Sequence, residues 1–82
     1  MMKLIPVYIV WHDAASMDSW EDIAKVRDFE PHQIHTLGFL VSENENKIVV
    51  CLSIDINEDG ASQVLTIPKS WILQLKKLKV KL

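Results

Sequence analysis

Thr36–Ile67 reads TLGFLVSENENKIVVCLSIDINEDGASQVLTI, and its alternation decides the fold. Leu37, Phe39 and Val41 alternate with Gly38, Leu40 and Ser42. Ile48, Val50, Leu52, Ile54 and Ile56 then keep a strict period of two, the pattern of a strand with one buried face. Glu43-Asn44-Glu45-Asn46 between them is a turn. Asn57-Glu58-Asp59-Gly60 is a second turn, with Gly60 expected to take the positive φ that closes it. Val64–Ile67 is a third short strand, stopped by Pro68, which has no N–H for a ladder. Three consecutive antiparallel strands follow from this reading, and the rest of the chain must pack on them or close them.

Upstream, Lys3–Trp11 is expected as the first strand. Its residues are apolar on both sides, which suits a strand covered on both faces or lying at a subunit contact. His12–Asp18 reads as a loop. A short helix should follow, capped by Asp18 or Ser19, with Glu21 or Asp22 as reciprocal partner and an apolar face of Trp20, Ile23 and Ala24. It should end before Pro31. Downstream, Pro68-Lys69-Ser70-Trp71 reads as a tight turn, one turn of 3₁₀ helix. For Ile72–Leu82, Leu78, Val80 and Leu82 alternate with lysines as in a strand, and Trp71, Leu75, Leu78 and Leu82 also fit a helical stripe. The strand is favoured because the meander needs an edge partner. The order strand, helix, meander, tight turn, strand is that of a small SH3-like or Sm-like β-barrel, mostly β with one short helix between strands 1 and 2. Residues 1–82 form a single domain of this kind.

Composition narrows the function classes. A chain of 82 residues has a marginal core, yet 49% of its residues are hydrophobic. Surplus apolar surface in so small a chain points to a partner, and a homo-oligomer is the simplest. The net charge of −2 argues against broad capture of nucleic acid. The acids concentrate in Asp13–Glu30 and Glu43–Asp59. Lys69, Lys76, Lys77, Lys79 and Lys81 make the C-terminal end basic, either as a solvated edge strand or as a phosphate-contacting patch. The lone Cys51 makes neither an internal disulfide nor a thiolate metal cluster, fits a reducing cytoplasmic setting, and should be inert in mid-strand. No stretch is long enough to span a bilayer.

The densest mixture of aromatic and polar groups is Trp11–Trp20. Trp11 and Trp20 offer faces for a flat ring, and His12, Asp13, Ser16 and Asp18 lie between them at the expected start of a helix. Lys69 and Trp71 could complete such a ligand-binding pocket across a subunit contact. The same tryptophans are also readable as core, and the polar residues as loop and helix caps, the commoner use of such residues. His32 and His35 stand at an odd offset, which places them on opposite faces of an extended segment, so no metal site is expected. No nucleophile turn, Gly-rich phosphate loop or pair of catalytic carboxylates is recognisable, and neither catalysis nor a cofactor is expected.

Trp11–Trp20 has the form W-x-D-A-x-S-x-D-x-W and resembles a group of small phage- and prophage-encoded proteins of no settled activity. The resemblance continues in Gly38–Glu43, Ile48–Ile54 and Ile67–Lys69. It implies an accessory protein acting in the cytoplasm of a bacterial host. Such a protein binds a host protein or a nucleotide-like host signal in counter-defence, with Trp11, His12, Asp13, Ser16, Asp18, Trp20, Lys69 and Trp71 as the candidate contacts. The alternatives are an Sm-like RNA-binding role and a purely structural protein-interaction module.

Overall fold

A computed structural model describes residues 4–16 and 19–79. The chain runs through β1 (Ile5–Asp13), α1 (Ile23–Val26), β2 (His32–Glu43), β3 (Lys47–Asp55), β4 (Gly60–Pro68), a 3₁₀ turn (Lys69–Trp71) and β5 (Ile72–Lys77). The strands form one antiparallel sheet in the order β4-β3-β2-β1-β5. The expected meander is present as β2-β3-β4, and the 3₁₀ corner and terminal strand are in place. β5, however, pairs with β1 and not with the meander, from Val7 opposite Lys77 to Trp11 opposite Ile72. The outer edge of β4 therefore has no partner among the described residues, and the sheet is not closed. Val80 and Leu82, part of the alternation read for the last strand, lie outside the described residues.

The sheet nevertheless curls. Pro68 and Ile72 are four residue steps apart, which spans about 14 Å at most. In a flat five-stranded sheet the two outer strands lie about 19 Å apart. Two irregularities help the bend: the β2–β3 register shifts between Leu40 and Ser42, and the β1–β5 register between Val10 and Trp11. On the concave side, Val7, Ile9 and Trp11 of β1 meet Ile48 and Val50 of β3 and Ile67 of β4, and Ile34, Leu40, Ile72 and Leu75 pack around them. Glu43, at the end of β2, reaches both Lys69 and Lys77 at 3.6 Å and ties that strand end to the 3₁₀ turn and to the end of β5.

The two-sided apolar reading of the first strand holds in its middle. Val7, Ile9 and Trp11 are buried on one face and Val10 on the other, while Ile5 is exposed. In β3 the alternation buries Ile48 and Val50 but leaves Leu52 in water, and Ile56, in the turn that follows, is exposed as well. Gln63, opposite Leu52, has φ 55°, and beyond this irregularity the β3–β4 hairpin carries its apolar residues past the core. The Asn57–Gly60 turn is closed not by Gly60 but by Asp59, at φ 53°. Aspartate tolerates the left-handed region because its short carboxylate can bond locally.

The helix corrects the sequence reading most. α1 is a single turn, its N-cap is Asp22 rather than Asp18 or Ser19, and the cap makes no side-chain hydrogen bond. None of its residues is buried, and the expected inward face of Trp20, Ile23 and Ala24 points into solvent. A four-residue helix without a packed face gains too little to propagate.

Cys51 is buried at 1% exposure, in β3 opposite Phe39 and Val64. A thiol so placed should ignore a soluble thiol reagent until denaturant is added. Fast stoichiometric labelling of the native protein would contradict that.

Candidate functional site

β1 fixes the first three residues of the Trp11–Trp20 stretch, and strand parity separates them. β1 pairs with β2 in an unbroken register from Ile5 opposite Leu40 to Asp13 opposite His32. Trp11 therefore shares the concave face with Ile9, Thr36 and Ile34, and His12 lies on the convex face beside Gln33. Trp11 is 6% exposed, and its indole Nε1–H donates to Thr36 Oγ1 at 2.9 Å. Trp71 stacks over it, with ring centroids 6.5 Å apart and planes within 11°. The 3₁₀ corner thus delivers Trp71 to Trp11 within one chain, with no subunit contact required. Trp11 closes the end of the core and offers no free ring face.

The other candidates do not converge on this pair. Lys69 turns to Glu43. His12 and Asp13 are half-buried at the end of β1, and Ser16 is exposed. Asp18 lies outside the described residues. Trp20 is 100% exposed, on a connection whose side chains face water from Ser19 to Pro31.

That connection has a pattern of its own. Trp20, Ile23, Val26 and Phe29 recur every third residue, and all four are exposed, Ile23 at 84%. Lys25 pairs with Glu21 at 4.0 Å and Arg27 with Asp28 at 3.7 Å, both in water, where such pairs add little stability. Among the described residues the backbone of this connection is held locally, as in the bond from Lys25 N–H to the Asp22 carbonyl at 2.9 Å.

The convex face holds a polar cluster that reading the sequence missed. Gln33 Nε2 lies 3.2 Å from His35 Nε2, and the Tyr8 hydroxyl faces His35 Nδ1 on the other side of the ring. Tyr8 and His35 rings sit 5.6 Å apart at 58°. The signal was available: Gln33 and His35 are two apart in a strand and share a face, whereas His32 and His35 do not. Tyr8 was hidden inside an apolar run. Among the described residues, no group of three or more His, Cys, Asp or Glu side chains could hold a metal ion.

Two surface depressions lie on the β3–β4 hairpin. One, of about 160 Å³, is lined by Leu4, Val41, Ile54 and Ile56 with Asp55 and Asp59. The other, of about 330 Å³, is open and lined by Ser53, Asp55, Glu58 and Ser62. No described residue of Trp11–Trp20 lines either, and the carboxylates of both would repel a phosphate. The first is also below the roughly 300 Å³ at which small-molecule pockets begin. No helix among the described residues is long and apolar enough to cross a membrane. No protein-family model, curated protein or solved structure matches the chain.

Proposed function

We propose that this chain is a non-catalytic binding module, a phage-type accessory protein that acts in the host cytoplasm by occupying the surface of a host protein. The observation that carries the reading is the exposure of Trp20, fully uncovered, and of Ile23 at 84%, with Val26 and Phe29 partly exposed on the same connection. A fully exposed tryptophan next to exposed aliphatic side chains gives up apolar burial in the free chain. It regains that burial only against something else. Tryptophan is also the side chain most enriched among residues that dominate interface energies. A short connection whose hydrogen bonds among the described residues are local can adjust to the partner, and the single helical turn sets the spacing of Ile23 and Val26. We infer that the curled sheet beneath it belongs to the SH3-like or Sm-like barrel class, left open between β4 and β5. In that reading the barrel is the scaffold and the β1–β2 connection is the effector.

Sequestration of a nucleotide-like signal has less support. Trp11 cannot stack on a ring while it lies under Trp71, and the depressions on the hairpin are acidic. Sm-like RNA binding is opposed by the net charge of −2.

A photo-crosslinking amino acid at position 20 should capture a defined host protein. Against that purified partner, Trp20→Ala should weaken binding roughly 30- to 1,000-fold, the range of an interface anchor worth about 2–4 kcal/mol. The thermal midpoint of the free chain should not move. Unchanged affinity of Trp20→Ala for the captured partner would refute the assignment.

A further inference from the structure

Charge is spread over this fold as unevenly as exposed apolar surface. Residues 13–30 hold Asp13, Asp18, Glu21, Asp22, Asp28 and Glu30 against Lys25 and Arg27, six acids to two bases, or −4. The whole chain is −2, so everything outside that span carries +2. The fold keeps the two apart. The connection leaves β1 at Asp13, whereas the lysine-rich end of β5 lies against the other end of that strand, with Lys77 opposite Val7 and Lys76 opposite Tyr8. Val7 and Asp13 are six residue steps apart along β1. That is about 20 Å of strand, more than twice the Debye length at physiological salt.

The negative pole coincides with the uncovered apolar side chains. Asp22 lies between Trp20 and Ile23 in the sequence, and Glu30 follows Phe29. Lys25 and Arg27 are taken up by Glu21 and Asp28. Asp22 and Glu30 are exposed and meet no cation among the described residues. Asp22 gives α1 its backbone carbonyl, while its side chain makes no cap bond. Its carboxylate therefore serves neither the helix nor an ion pair.

We infer that the host surface occupied by this chain is an apolar cleft rimmed by lysine and arginine side chains. The inference rests on the host-protein reading and adds the chemistry of the partner. The cleft takes Trp20 and Ile23, and the rim meets Asp22 and Glu30. Acidic side chains in the rim would oppose the same contact. The pole also steers the encounter. A basic surface draws the connection toward it and turns the lysines of β5 away. The rim thus sets how fast the two proteins meet, and Trp20 sets how long they stay together.

The test uses the intact chain and, as probe, the protein cross-linked through position 20, purified for rate measurements. Association should slow about 10-fold between roughly 50 and 500 mM salt. Asp22→Lys combined with Glu30→Lys should slow association at low salt about 10-fold, flatten the salt dependence and leave dissociation within about 2-fold of wild type. Glu45→Lys combined with Glu58→Lys makes the same change in net charge in the two hairpin turns, and should slow association by less than about 2-fold. All four positions are exposed, and unchanged circular dichroism will show both double variants folded. Association that ignores salt, or a connection variant that associates as fast as the hairpin-turn variant, would overturn the basic rim while Trp20→Ala still weakens binding. If Trp20→Ala binds the captured protein like wild type, the host-protein reading itself fails, and the basic rim falls with it.

Discussion

Trp11→Ala should lower the unfolding free energy by about 3–5 kcal/mol, the range for truncating a buried tryptophan. A chain of 82 residues has roughly 4–12 kcal/mol in total. The thermal midpoint should fall by about 15–30 °C, and at the lower end of that total the variant does not fold at room temperature. Three losses combine in one residue. The indole fills the end of the core beside Ile34 and Ile72. It is the platform for Trp71. It is also the donor to Thr36, whose hydroxyl is left part-buried without it. Trp20→Ala, by contrast, should leave the unfolding free energy within about 0.5 kcal/mol of wild type, the usual effect of a change at an uncovered surface position. Thermal melts of the two variants check the contrast directly.

Gly38→Ala should cost about 1–3 kcal/mol, the usual range for overpacking a dense core. Gly38 is buried opposite Val7, and a Cβ built on it stands 2.8 Å from the Cys51 carbonyl oxygen. That neighbour is backbone, so neither strand can relieve the clash by turning a side chain. Gly38 does not have a positive φ. Its role is to let β3 approach β2 closely just before the bulge that bends the sheet. Gly60 is the control. Nothing lies within 4 Å of its virtual Cβ and its φ is not positive. Gly60→Ala should therefore be neutral or add a few tenths of a kcal/mol by restricting the unfolded chain. Urea titrations of the two variants should differ clearly in midpoint.

The parts legible in the sequence were those where one local rule acted alone. The meander could be read because alternation persists through two turns, and the 3₁₀ corner because Pro68 stops a strand. The partner of β5 could not be read. Whether the last strand pairs with β1 or with β4 depends on how far the sheet curls, and no local pattern encodes that. The helix was overread because Trp20, Ile23 and Ala24 at helical spacing look the same whether a surface exists for them to cover or not. The candidate site divided for a related reason. Trp11 and Trp20 are one residue type nine positions apart, one in a paired strand and the other in an unpacked connection. Strand parity alone, however, would have separated His12 from Trp11 and joined Gln33 to His35.

The central claim is that Trp11 and Trp71 hold the fold while Trp20 is presented for binding. Hydrogen exchange of the three indole N–H groups, followed by NMR in the free chain, tests it most directly. The Trp11 N–H, held by Thr36 inside the core, should be strongly protected, and the Trp20 N–H should exchange at the rate of an unstructured peptide. A Trp20 indole as protected as Trp11 in the free chain would mean that the β1–β2 connection packs on its own sheet, and the account would be wrong.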